Sequence, residues 1–159
     1  MQKSIFPSVR ACLTLISFAL LLNALPCMAQ KADSIPEEYG ILINAKDREI
    51  SGLCVMDRSN EGNIVGTIVN EFGIKIFDFS FSHNKTRIQN VIAPLDRWYL
   101  RRIIRKDMHF ILENISNITY DHDVVTGMRS MKKKTNGDVE IYNRRYKIIY
   151  TFTKLKTAL

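Results

Sequence analysis

Between residues 39 and 92 the apolar positions fall into short runs of β-forming residues separated by turn chemistry. Residues 40–44 make one run, and the charged stretch Lys46, Asp47, Arg48 and Glu49 turns the chain into a second at 50–56. A polar loop at 57–63 leads to a run at 64–70 that pairs naturally back across it. Asn70, Glu71, Phe72 and Gly73 make a tight break before 74–82, a run rich in Ile and Phe. His83, Asn84 and Lys85 predict a turn, and 86–92 a further strand. Alternation in 74–82 puts Phe77, Phe79 and Phe81 on one face, and Ile74, Ile76 and Asp78 on the other. Both faces are then partly apolar. A sheet curling round a helix satisfies this, as does a bulge near Phe77.

After Pro94 the period changes. Residues 95–113 hold neither Gly nor Pro, and Leu95, Trp98, Tyr99, Ile103, Ile104, Met108, Ile111 and Leu112 recur at three- and four-residue steps. Arg97, Arg101 and Arg105 recur every fourth residue, with Arg102 and Lys106 beside them. The pattern predicts an amphipathic helix with one basic face, begun by Pro94 and with Asp96 in its first turn. Strands follow at 115–120, 124–131, 139–143 and 146–152, and 132–138 is a hairpin loop containing Asn-Gly. Strands, one long helix and strands again predict an α+β domain. Its curved, mostly antiparallel, half-open barrel-like sheet packs on the one helix.

The N-terminus has a different character. Residues 1–29 contain no acid, two bases (Lys3 and Arg10), an apolar stretch at 11–24, and Pro26 before the small-residue stretch Cys27, Met28 and Ala29. That is the pattern of a secretory signal peptide cleaved after Ala29. An uncleaved anchor is one alternative. Lipid attachment at Cys27 is another, although Leu25-Pro26 is the wrong approach to a lipidated cysteine. Residues 30–38 are predicted to be a flexible leader and 39–159 a single domain, exported to the periplasm or the outer-membrane periphery.

Export changes how charge and cysteine are interpreted. The whole chain of 159 residues has 23 bases, 16 acids and a net charge of +7, with three cysteines. Without the predicted signal, about 130 residues remain, too few for an alternating strand-helix barrel or a two-domain enzyme. The residual charge is uneven: residues 30–84 carry −4 and residues 85–159 carry +9. In an exported protein a basic surface points to an anionic membrane, an acidic partner or simple solubility, and no nucleic acid is expected. Cys54, between Leu53 and Val55, is expected to be a buried, inert thiol.

Catalytic patterns are sparse. The three histidines, His83, His109 and His122, are far apart in sequence, and Asp121, His122 and Asp123 cannot all face one ion from a strand. No Gly-x-Ser-x-Gly occurs, and no phosphate-cradling glycine loop. The expectation is a protein that is not an enzyme and needs no cofactor or metal.

The strand 50–56 with its Ser51-Gly52, the run Gly73-Ile74-Lys75-Ile76-Phe77-Asp78-Phe79, and the strand-helix-strand order resemble exported proteins of Bacteroidetes-type bacteria. More distantly they resemble the periplasmic outer-membrane lipoprotein carrier and receptor (LolA/LolB-like) families. That resemblance implies a half-open barrel plugged by helices, with an acyl chain in the apolar space between them. The chain departs from the pattern in having one long helix where the carriers have several. Two expectations follow. In the first, lipid or an acylated protein binds between sheet and helix against Leu53, Val55, Phe77, Phe79 and Phe81. In the second, a non-enzymatic envelope interaction protein docks on an anionic membrane surface or acidic partner through Arg97, Arg101, Arg105, Lys132, Lys133 and Lys134.

Overall fold

A computed structural model describes residues 36–46, 48–119 and 122–155. The predicted signal peptide and most of the leader lie outside the described residues, as do Tyr120 and Asp121. The first half forms a meander of strands β1 (Glu37–Ala45), β2 (Arg48–Arg58), β3 (Ile64–Asn70), β4 (Lys75–Ser82) and β5 (Lys85–Gln89). A 3-10 turn (Ala93–Leu95) and helix α1 (Trp98–Asn114) follow. The second half is β6 (Val124–Thr126), β7 (Arg129–Lys133), β8 (Val139–Asn143) and β9 (Ile148–Lys154). All described strand pairs are antiparallel. They make one open nine-stranded sheet in the order β5-β4-β3-β2-β1-β9-β8-β7-β6. The architecture is α+β, and no helix among the described residues is long and apolar enough to cross a membrane.

The sheet bends round the helix. Laid flat, nine strands about 4.8 Å apart would spread nearly 40 Å, whereas a helix is only about 10–12 Å wide. Yet α1 touches β5, at one edge of the sheet, and β7, next to the other. Two glycines on the concave face mark where the backbone crowds. A β-carbon on Gly52 would lie 2.0 Å from the Val69 carbonyl oxygen, and one on Gly66 would lie 2.4 Å from both the Val55 carbonyl oxygen and the Phe79 ring. A side chain at either position would force neighbouring strands apart.

Register assigns the faces. Tyr39 opposes Cys54, Cys54 opposes Ile68, and Ile68 opposes Phe77. These residues, with Ile41, Met56, Ile64, Phe79, Met131, Ile141, Tyr150 and Phe152, form the core that receives Met108, Phe110, Ile111 and Leu112 of α1. The pairing slips between Ile68 and Val69, so β4 carries a bulge just before Phe77. The bulge lets neighbouring Ile76 and Phe77 both be buried, which resolves the two-faced pattern of that run.

Several boundaries move. Glu37 and Glu38, expected in the flexible leader, begin β1 and pair with Met56 and Val55. The helix starts at Trp98, because the backbone after Pro94 makes a 3-10 turn and Asp96 falls outside the first turn. No strand forms across 115–119. That segment turns away from the helix and buries Ile115 and Ile118. The expected strand at 124–131 is two strands, divided at Gly127, whose φ of +59° suits glycine. Lys132 and Lys133, assigned to a hairpin loop, belong to β7, where Lys132 opposes Glu140.

Candidate functional site: a cationic trough along helix α1

Two faces of α1 carry charge in opposite ways. The sheet-facing side contains Asp107, whose spacing from Ile104, Met108 and Ile111 puts a carboxylate inside the apolar stripe. Asp107 is fully buried. Its Oδ1 accepts from Arg129 Nε at 2.6 Å and from Asn143 Nδ2 at 2.7 Å, and Arg129 Nη2 lies 2.6 Å away. Its Oδ2 accepts from the Tyr150 hydroxyl at 2.7 Å. Burial and the adjacent Asp107 carboxylate hold the Tyr150 phenol well above its usual range, so it remains a donor. Helix, β7, β8 and β9 are thereby tied at one carboxylate, with every partner satisfied.

The outward side of α1 borders open grooves. One, of about 680 Å³, runs between β5 and the start of the helix and is lined by Thr86, Arg87, Ile88, Trp98, Arg101 and Arg105, among others. A second, of about 630 Å³, continues along the helix past Lys85, Lys106, His109, Phe110 and Glu113. Both are lined by Thr86, Arg87 and Arg105, so they join into one trough. A smaller recess of about 230 Å³ lies by Tyr99, Arg102, Ile103, Lys106, Arg145 and Tyr146. Trp98 is 77% exposed and stacks edge-on with Tyr99 at 6.0 Å between centroids. Arg145 sits over the Tyr146 ring at 5.6 Å.

The cations here are not equivalent. Arg101 is committed, with Nη1 2.8 Å from Asp96 and Nη2 donating to the Ile88 carbonyl at 3.1 Å. Arg129 is committed to Asp107. Lys85, Arg87, Arg102, Arg105 and Lys106 have no carboxylate within ion-pair distance among the described residues. Among the described residues, Glu113 is the single acid lining the trough.

The expected site residues separate. Arg97, Arg101 and Arg105 share the helix and its approach, and the last two line the trough. The three lysines do not join them. Lys132 and Lys133 alternate across β7, Lys134 Nζ lies 2.6 Å from Glu140, and none of the three lines a groove beside α1. Leu53 and Val55 are corrected to the face opposite Phe77, Phe79 and Phe81, because it is their neighbours Cys54 and Met56 that meet Ile68 and Gly66. Phe77 and Phe79 are buried in the core, and Phe81 is half-buried, its ring 5.8 Å from that of His109. Cys54 is wholly buried, and burial pushes its thiol up to about 12, leaving almost no thiolate at neutral pH. Among the described residues no group of three or more His, Cys, Asp or Glu converges as metal ligands, and Asp121 lies outside them.

The residues that sequence reasoning left out are Asp107, Arg129, Asn143 and Tyr150 inside, and Lys85, Thr86 and Arg87 on β5 outside. The chain matches no protein-family model and no curated protein sequence.

Proposed function

We propose that the protein is a non-enzymatic cell-envelope module that docks on an anionic membrane surface through the outward face of α1. The observation that carries this reading is the joined trough beside α1, where unpaired cations outnumber the single lining carboxylate. Exposed Trp98, Tyr99 and Tyr146 stand at the same end of the helix as Arg102 and Arg145. Aromatic rings with polar edges suit the headgroup layer of a bilayer, and cations beside them suit anionic lipid. In this reading the bent sheet is a half-open barrel whose role is to hold α1 with its basic face outward.

Acyl-chain binding between sheet and helix is the second reading, favoured by the curved apolar face that α1 covers. It requires α1 to leave that face, which strips the buried Asp107 of Arg129, Asn143 and Tyr150. The cost of that exposure places docking ahead of it.

Vesicle sedimentation tests the proposal. The wild-type protein should pellet with anionic vesicles, less so as salt rises, and should ignore zwitterionic ones. Arg102→Glu with Arg105→Glu should abolish pelleting. Arg101 is a poorer target, because it also holds Asp96 and Ile88. Binding indifferent to both salt and charge reversal would overturn the docking surface. An acyl chain recovered by mass spectrometry from detergent-free protein would favour the second reading.

A further inference from the structure

The point where the two grooves join is more than a patch of positive charge. We propose that it is a discrete site for a terminal phosphate group, a phosphomonoester or inorganic phosphate. The proposal deepens the docking reading and rests on the same basic face.

The junction lies against an open edge of the sheet. β5 is an edge strand, and the Ile88 carbonyl accepts a hydrogen bond from Arg101 instead of from β4. In an antiparallel strand the N–H and C=O of one residue lie on the same side, and the direction repeats every second residue. The N–H groups of Ile88 and Thr86 therefore point to the open edge, where the trough lies. Arg101 already answers the Ile88 carbonyl, which removes an acceptor that would repel an anion and blocks an added peptide strand at that point.

The floor of the junction offers a hydroxyl. Thr86 is buried to 9% exposure, and its Oγ1 lies 3.2 Å from His109 Nδ1. In the tautomer whose Nδ1–H donates to Oγ1, the Thr86 hydroxyl proton is left for an oxyanion. The Phe81 ring packs beside His109 and limits its freedom.

Cations surround that floor. Arg87 and Arg105 line both grooves, and Lys85 and Lys106 flank the junction. These cations lack ion-pair partners among the described residues. A phosphomonoester brings close to two negative charges at neutral pH and three strong acceptor oxygens, matching several cations and edge donors at once. A phosphodiester brings one charge and fewer free oxygens. The trough is open, so whatever carries the phosphate can leave toward Trp98.

The test uses the full mature chain. Calorimetric titration with inorganic phosphate, glycerol phosphate and dimethyl phosphate should give saturable binding of the first two, at least roughly tenfold tighter than the third. Ring signals of His109 should shift on saturation. Arg105→Gln with Lys106→Gln should weaken phosphate binding at least roughly tenfold without moving the urea midpoint, whereas Lys147→Gln should leave it unchanged. Vesicles of phosphatidic acid and of phosphatidylglycerol, matched in surface charge, identify the source. A preference for phosphatidic acid that soluble phosphate competes away assigns the site to a lipid headgroup. Phosphate binding without that preference assigns it to a soluble phosphate ester. No saturable binding at roughly millimolar phosphate, or binding untouched by the Arg105 and Lys106 changes, overturns the site. If vesicles still bind in that case, the docking surface survives. Phosphate binding with no vesicle binding at all would do the opposite.

Discussion

Arg129 and Arg105 both border the groove beside His109, yet they serve different ends. Arg129 is largely buried, and its guanidinium is bound to a carboxylate that also holds Asn143 and Tyr150. Arg105 is exposed on α1, with no ion-pair partner among the described residues. A buried charge that loses its partner is expensive, so the Asp107 cluster fixes where the helix sits. An exposed charge contributes little to folding and remains available to something outside the molecule. The same helix thus has one charged face bound to its own sheet and one exposed to solvent.

The contrast can be broken first at its buried end. Asp107→Ala leaves the Arg129 cation uncompensated against the sheet, and should lower unfolding free energy by about 3–5 kcal/mol in urea denaturation. A loss below about 1 kcal/mol would mean that the cluster is solvated and does not lock the helix. Tyr150→Phe removes one donor while keeping the ring and the Arg129 pair. It should cost about 1.5–3 kcal/mol by the same measurement, the range for a hydrogen bond to a charged group. At the exposed end, the Arg102→Glu, Arg105→Glu protein should have a urea midpoint corresponding to a change within about 0.5 kcal/mol of wild type. A large destabilisation there would show that the outward face also supports the fold, and would blur the comparison.

The strands-helix-strands order was legible from sequence because strand and helix periods differ so clearly on either side of Pro94, although the expected strand at 115–120 does not form across 115–119. The two-faced run 74–82 was legible as a conflict that a curled sheet or a bulge near Phe77 would each satisfy, and only the register with β3 shows the bulge. The face of β2 was not. Ile50, Cys54 and Met56 compete with Leu53 and Val55, both sets apolar, and only pairing with β1 and β3 decides between them. The trough was legible in half: Arg101 and Arg105 repeat along one helix, but Thr86 and Arg87 enter through a strand brought alongside by the bend of the sheet. Asp107 did leave a signal, a carboxylate at an apolar position of the helix. Its partners come from three later strands, and no local pattern joins them.

The pairing of β1 with β9 has a consequence for when the molecule becomes itself. The seam at the middle of the sheet joins the earliest described strand to the latest, with Ile41 opposite Phe152. The five-stranded meander before the helix can form by local hairpins, and so can β7, β8 and β9 after it. The centre of the sheet cannot close until both are made. Such long-range closure slows folding, since loop entropy is spent before the contact that rewards it. A chain emerging in sequence order would hold its concave face unsealed until β9 arrives. Until then Arg129, Asn143 and Tyr150 are not in place around Asp107, and the tie between α1 and the second half of the sheet cannot close.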